Sequence, residues 1–276
     1  MVEKKKVLFV TQEMEPYTAL SEISAIVRKL PEYTQSNGME IRVLMPKYGT
    51  INERRHRLHE VVRLSGMNII VDDDDFPLII KVASLPGARM QVYFLDNDDF
   101  FKRKAVFFDD DGNPYDDNAD RMVFFCKGVI ETVRKFGWAP DIIHCHGWMT
   151  SLIPLYVREA YRTEPLFQGA KIVYSVYDSN VENNFSDSFL VKASINSLER
   201  EDLNAYLNGD NVNLHQGAIR YSDALVFGSE ELSQNLEKMI RESGKPVLEF
   251  MDNEKVAASC LDFYLELLEE EETVGN

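Results

Sequence analysis

Residues 140–148 read Pro140-Asp141-Ile142-Ile143-His144-Cys145-His146-Gly147-Trp148. A brief apolar run bounded by Pro and Gly carries the signature of a buried strand in a parallel sheet. It delivers two imidazoles to a Gly-Trp turn, and ligands of such sheets bind in the crevice beyond the carboxyl ends of the strands. After the turn, Leu152, Leu155, Tyr156 and Ala160 recur near helical spacing, so the stretch predicts strand, loop and helix, with Trp148 opening the helical pattern. On these residues alone, His146 is either a satisfied structural imidazole or a group placed for chemistry. His144 reads as structural. One short segment supplies two nitrogens and no carboxylate pair completes a tetrahedron, so no metal site is expected.

The chain on either side repeats the same grammar. Residues 6–10 predict a strand. Ser21 predicts an N-cap for a helix carrying Ile23, Ile26, Val27 and Leu30 and stopping at Pro31, and residues 41–45 predict the next strand. Strand, helix and strand make a right-handed βαβ unit. From 54 to 101 the pattern shifts to short strands at 61–64, 78–83 and 90–95 between Pro, Gly and Asp clusters, which predicts an antiparallel insertion. The acidic clusters at 72–75, 96–99 and 109–111 read as solvated turns. A calcium loop centred on Gly112 fails, because it puts Phe107 at the first ligand position and Asn118 where a bidentate Glu belongs.

A helix is expected over 121–136, ending at Gly137, with strands at 171–176 and 224–227 and a helix capped by Ser229 running through Ile240. Residues 180–213, rich in Asn, Ser and Asp, predict an irregular excursion with a short helix near 194–207. An extended piece at 247–250 precedes an amphipathic helix over 253–271 that carries Val256, Cys260, Phe263, Tyr264 and Leu267; the acidic run 269–272 reads as a solvated tail. The sum is an α/β fold: a Rossmann-like parallel sheet flanked by helices, with an antiparallel β insertion and a C-terminal crossover-like helix.

A net charge of −16 argues against a nucleic-acid partner and against docking on anionic membrane. No apolar stretch reaches the ~18 residues of a membrane span. Three cysteines, Cys126, Cys145 and Cys260, without Cys-x-x-Cys spacing suit a reduced compartment, and a cytoplasmic location is expected. No glycine-rich phosphate loop is present, and no cofactor is expected.

Five segments in order resemble the N-terminal half of bacterial glycogen synthases and plant starch synthases, retaining glycosyltransferases of the GT-B fold. They are Glu13-Met14-Glu15-Pro16-Tyr17 after the first strand, Pro46-Lys47-Tyr48-Gly49, Asp117-Asn118-Ala119-Asp120-Arg121, the opening stretch 140–148, and residues 217–232. The resemblance implies transfer of glucose from ADP- or UDP-glucose to an α-1,4-glucan. It places His146 beside the donor sugar and Asp117 near acceptor or sugar. Tyr17, Asn118, Trp148 and Tyr177 become candidate substrate-binding residues, Tyr17, Trp148 and Tyr177 as rings that stack on a sugar, a role open also to Trp138.

The departures are as informative. The family's Lys-Thr-Gly-Gly-Leu-Gly-Asp loop, where a lysine and backbone amides meet donor phosphate, is here Ala19-Leu20-Ser21-Glu22-Ile23-Ser24-Ala25. The cation is gone and a carboxylate stands where a glycine belongs. The Asp of His-Asp-Trp is Gly147, and the family's Thr-x-His-Asn is Ser175-Val176-Tyr177-Asp178. The expected organisation is a Rossmann domain over 1–244, a helix over 245–276 packing back on it, and no second, nucleotide-sugar-binding domain. The leading expectation is therefore a catalytically impaired relative with a glucan-binding, regulatory or scaffolding role. The alternatives are a glucosyltransferase completed by a separate donor-binding partner, and a protein-interaction or self-association module using the vacated interdomain face. Whether the chain is an enzyme stays open on the sequence.

Overall fold

The structure is a computed structural model that describes residues 4–178, 185, 188–195, 198–209, 211–252 and 254–274. In chain order the elements are β1 (Lys6–Thr11), α1 (Glu22–Ser36), β2 (Glu40–Pro46), α2 (Glu53–His56), β3 (His59–Glu60), β4 (Met67–Val71), β5 (Asp74–Ser84), β6 (Gln91–Asp96), α3 (Asp98–Phe101) and α4 (Asn118–Phe136). There follow β7 (Ile142–His146), α5 (Ile153–Leu155), β8 (Lys171–Val176), α6 (Ser188–Ala193), α7 (Arg200–Leu203), β9 (Leu207–Asn208), β10 (Asn211–Val212), α8 (Leu214–Tyr221), β11 (Ala224–Phe227), α9 (Gln234–Glu242), β12 (Val247–Leu248) and α10 (Val256–Val274).

The main sheet runs β12-β11-β8-β7-β1-β2-β6-β5-β3, with β4 on β5, and β9-β10 form a separate hairpin. Every pairing from β12 to β6 is parallel, and β3, β4 and β6 each meet β5 antiparallel. The chain leaves β1 in one direction through β2 and β6, then returns to lay β7, β8, β11 and β12 on the other side. The order reverses between β1 and β7, where an open α/β sheet has its natural crevice. Thr11 pairs with His146 and His146 with Ser175, so the carboxyl ends of the three central strands are level.

β7 is buried at every residue, as a strand covered on both faces must be. α1 begins as its sequence predicts: Ser21 Oγ accepts the Ile23 N–H at 3.3 Å. It does not stop at Pro31, however. Proline removes one donor and crowds the carbonyl one turn back, and the burial of Leu30, Pro31 and Thr34 outweighs both and holds the helix to Ser36. α4 ends at Gly137, whose φ of 60° supplies the left-handed turn.

The insertion differs most from expectation. Residues 61–64 form a turn, closed by Leu64 N–H to the Val61 carbonyl at 2.9 Å, and not a strand. Met67–Val71 is the strand instead; Ile70 is exposed while Ile69 and Val71 are buried, so apolar residues on both faces mask the alternation. The expected acidic loop at 72–75 is the tight turn between β4 and β5, with Asp72 left-handed at φ 58° and Asp74 and Asp75 already in β5. β6 belongs to the parallel sheet through β2.

Beyond Trp148 the chain forms a 3₁₀ turn, a short α segment and a π segment over Tyr156–Ala160 in place of one regular helix. Ser229 does not cap α9, which starts after Ser233. The expected helix near 194–207 is broken into α7 and a 3₁₀ turn at Asn204–Tyr206, and residues 196 and 197 lie outside the described residues, as do 179–184 of the excursion. After 244, β12 joins the sheet edge and α10 packs against α1 with Val256, Cys260, Phe263, Tyr264 and Leu267 buried. Among the described residues no helix is long and apolar enough to cross a membrane.

Candidate functional site

The crevice at the β1/β7 switch point is a half-open cavity of about 230 Å³. Gln12, Glu13, Gly147, Trp148 and Tyr177 line its depth, and Leu20, Glu22, Phe108 and Asp178 stand at its exposed edge. Its shape depends on Gly147. The backbone there has φ 87° and ψ 162°, a region open in practice to glycine alone, and a Cβ would lie 2.2 Å from Gln12 Oε1. The tight turn lets the Gln12 N–H donate to the His146 carbonyl at 3.3 Å, locking the ends of β1 and β7 together.

The two histidines lie beneath this floor. His144 is fully buried, sharing a 2.5 Å hydrogen bond with Tyr264 through Nδ1 and a 2.8 Å bond with Ser175 through Nε2. Its satisfied ring agrees with the structural role read from the sequence, and it ties α10 to the centre of the sheet. His146 shares a 3.0 Å hydrogen bond with the Tyr177 hydroxyl through Nδ1, while its Nε2, also buried, has no hydrogen-bond partner among the described residues. Burial pushes the His146 imidazole down to about 3, and burial together with the neighbouring His146 ring holds His144 well below its usual range. Both rings are neutral near pH 7. Among the described residues no group of three or more His, Cys, Asp or Glu is arranged to hold a metal ion.

Opposite the histidines stands the loop that enters α1. The Glu13 carboxylate is fully buried and accepts hydrogen bonds from the Leu20 N–H at 2.5 Å, the Ser21 N–H at 3.0 Å and the Ser21 hydroxyl at 2.6 Å. The amides at the mouth of the helix are thereby spent on an internal anion. Glu22 reaches across the crevice and accepts a hydrogen bond from the Ser229 hydroxyl, while α9 begins only after Ser233. Burial raises the Tyr177 phenol above its usual range, and Glu22 and Glu13 add to that shift.

Trp148 and Tyr177 are thus the sequence-predicted residues that reach the cavity, with His146 bonded behind Tyr177. Asn118 does not line it. Its carboxamide is buried, donating to the Phe107 carbonyl at 2.9 Å and accepting from Arg121 Nη1 at 2.7 Å. Arg121, wholly buried, donates also to the carbonyls of Phe100 and Val106, so Asn118 and Arg121 together clamp the loop that presents Phe107 and Phe108 to the crevice. Asp117 is engaged by Arg103 in two parallel 2.6 Å hydrogen bonds. Tyr17 packs edge-on against Phe94 and His56 with its phenol pushed up to about 12 by burial, away from the cavity lining. Trp138 donates to Glu40 at the opposite end of β2. Gln12, Glu13, Phe107 and Phe108 line the cavity without having been singled out as ligands in the sequence. Their one sequence signal is position: Gln12 and Glu13 directly follow β1 at the switch point.

With this geometry in place the comparisons are direct. The family model of the starch synthase catalytic domain matches residues 6–245. The chain belongs to the starch synthase catalytic domain family. It is similar to a glycogen synthase of Pelodictyon phaeoclathratiforme, 34% identical over 234 residues covering 84% of this chain and 47% of that one. A glycogen synthase of Chlorobium limicola is 36% identical over 227 residues, covering 81% and 45% respectively. The chain thus spans about half the length of the curated relatives it matches. Among solved structures, the catalytic domain of starch synthase IV from Arabidopsis thaliana bound to ADP and acarbose superposes with a TM-score of 0.75, covering 90% of this chain and 52% of that one at 20% identity. That likeness establishes the shared α/β glycosyltransferase fold.

Proposed function

We propose that this starch-synthase-type domain has given up glucose transfer from a nucleotide sugar and serves a glucan-binding, regulatory or scaffolding role. One observation carries the reading. Where the family's loop offers a lysine and glycine amides to donor phosphate, the Leu20 and Ser21 amides here are bound to Glu13, and Glu22 is set across the crevice by Ser229. A carboxylate beside a pyrophosphate repels it by several kcal/mol at the effective dielectric of a protein surface, about 4 kcal/mol for unit charges ~4 Å apart. Donor affinity is therefore lost at its anchoring end, and chemistry that depends on that anchor is lost with it.

Titration calorimetry of the chain with ADP-glucose, UDP-glucose and a maltooligosaccharide tests this. Oligosaccharide heat without nucleotide-sugar heat is the expected result; micromolar binding of either nucleotide sugar overturns it. A reconstructed loop, Ala19→Lys with Leu20→Thr, Ser21→Gly and Glu22→Gly, is expected to gain nucleotide-sugar binding.

A second reading, a glucosyltransferase completed by a separate donor-binding partner, draws support from the unpartnered Nε2 of His146 at the switch point. Glucose transfer by the chain together with a co-purified nucleotide-sugar-binding protein would establish it.

A further inference from the structure

A second cavity, of about 360 Å³, opens between α4, β4 and the end of α6 and shares no lining residue with the crevice. Lys127 stands in its wall, 8% exposed. Its ammonium donates to the Ile70 carbonyl at 2.7 Å and to the Lys192 carbonyl at 3.4 Å, which leaves one proton without an acceptor among the described residues. By helical spacing the natural counter-ion is Glu131, one turn on. That carboxylate is drawn away: Arg134 Nη1 donates to its two oxygens at 3.0 and 2.9 Å, and the Tyr161 hydroxyl donates to it at 2.6 Å. Lys192, also in the wall, is answered by Asp120 at 2.7 Å, and Asp72 lies on the exposed turn between β4 and β5. Lys127 is thus a buried cation that no carboxylate pairs with among the described residues. Burial pushes its amine down to about 8, so at pH 7 it is still mostly charged. A charge in that position is costly until an anion joins it.

Much of the remaining wall is aliphatic. Ile70 and Val191 border the cavity 57% and 71% exposed, with Ile69 and Ile195 in the same lining. A wider hollow of about 690 Å³ adjoins it through Asp72, Val191 and Ser194 and adds Leu190 and Leu203. Both volumes fall in the ~300–1,000 Å³ range of small-molecule sites. We propose that this groove binds a small aliphatic carboxylate, with its carboxylate on the Lys127 ammonium and its chain along Ile70 and Val191 toward the wider hollow. The chain covers apolar surface that otherwise meets water, and the carboxylate supplies both the missing charge and an acceptor for the third proton.

Titration calorimetry of the full chain at pH 7 and low salt compares octanoate with 1-octanol, which keeps the chain and drops the charge, and with acetate, which keeps the charge and drops the chain. Octanoate is expected to bind about tenfold more tightly than octanol, the scale of one charge-assisted hydrogen bond, and more tightly than acetate. Lys127→Met keeps most of the side chain's bulk and loses the ammonium. In that variant octanoate is expected to fall to within about twofold of octanol, while unchanged octanol binding shows the groove intact. Val191→Glu, at a position too exposed to disturb the fold, sets a like charge beside the ligand and is expected to weaken octanoate about threefold or more with an unchanged circular dichroism spectrum. Equal affinity for octanoate and octanol overturns the proposal, as does octanoate binding that survives Lys127→Met undiminished, or no octanoate binding at all. Should Lys127→Met fail to fold, Val191→Glu decides: full octanoate affinity in that variant overturns the proposal.

Discussion

The two walls of the crevice were built under different constraints. The β7 wall is dry: His144 and His146 are buried, neutral and bonded to Tyr264, Ser175 and Tyr177. The α1 wall is a surface loop in which Leu20, Ser21 and Glu22 are exposed. A buried strand changes only at the cost of cavities and unpaired polar groups, so its residues persist through packing alone. A loop residue is held by what it binds. The contrast teaches that the histidines at this strand end are held by the core whatever the loop opposite them binds.

The sharpest attempt to break this comparison is Gly147→Ala, which forces a side chain into Gln12 from a backbone conformation open mainly to glycine. It is expected to cost about 3 kcal/mol in denaturant unfolding. A cost under about 1 kcal/mol would show the β7 wall to be as loose as the loop.

Acid strains the same wall from within. His144 and His146 resist protonation in the fold and accept protons freely once unfolded. Stability is therefore level above pH 6.5 and falls as pH drops below that value toward the folded pKa, about 3 for His146. Each ring contributes a slope of up to ~1.4 kcal/mol per pH unit in that window. Denaturation midpoints measured from pH 7.5 downward should show the fall, and His146→Gln should flatten part of it.

Tyr264→Phe removes the hydroxyl from His144 Nδ1 and leaves a buried nitrogen unpaired, for an expected loss of about 1–2 kcal/mol. The same variant should speed hydrogen exchange in α10, since that contact joins the helix to the sheet. Smallest of all, Glu22→Gln on the exposed loop should move stability by no more than ~0.5 kcal/mol. A large stability loss there would make Glu22 a structural residue and erase the contrast between the two walls.

Much of this arrangement is readable in the chain itself. The buried strands announce themselves, and those at 171–176 and 224–227 fall on β8 and β11 to the residue, because a short, largely apolar run covered on both faces stands out from the polar loops that bound it. The insertion was less legible. β4 puts Ile70 on its solvent face, so its alternation carries no polar signal, and the apolar residues at 61–64 serve a turn that buries Leu64 alone and leaves Val62 exposed. Pro31 misleads in the same way, since the tertiary burial of its neighbours outweighs the lost hydrogen bond and the crowding of its ring against the preceding turn.

The candidate site divides along the same line. Trp148 and Tyr177 follow strands in sequence and reach the crevice. Asn118 and Asp117, carried by the same kind of motif, are taken up by Phe107, Arg121 and Arg103.

By itself the sequence determined the parallel sheet, the crevice end of the 142–146 strand, the family, and the presence of Glu22 at the start of α1. These depend on periodicity and residue type, which are local properties. Only the tertiary structure decided that Glu13 occupies the amides of Leu20 and Ser21, that Ser229 steers Glu22 across the crevice, and that Tyr264 secures His144 from 120 residues away. Such hydrogen bonds depend on distances set by how helices and strands pack, and no spacing along the chain encodes them.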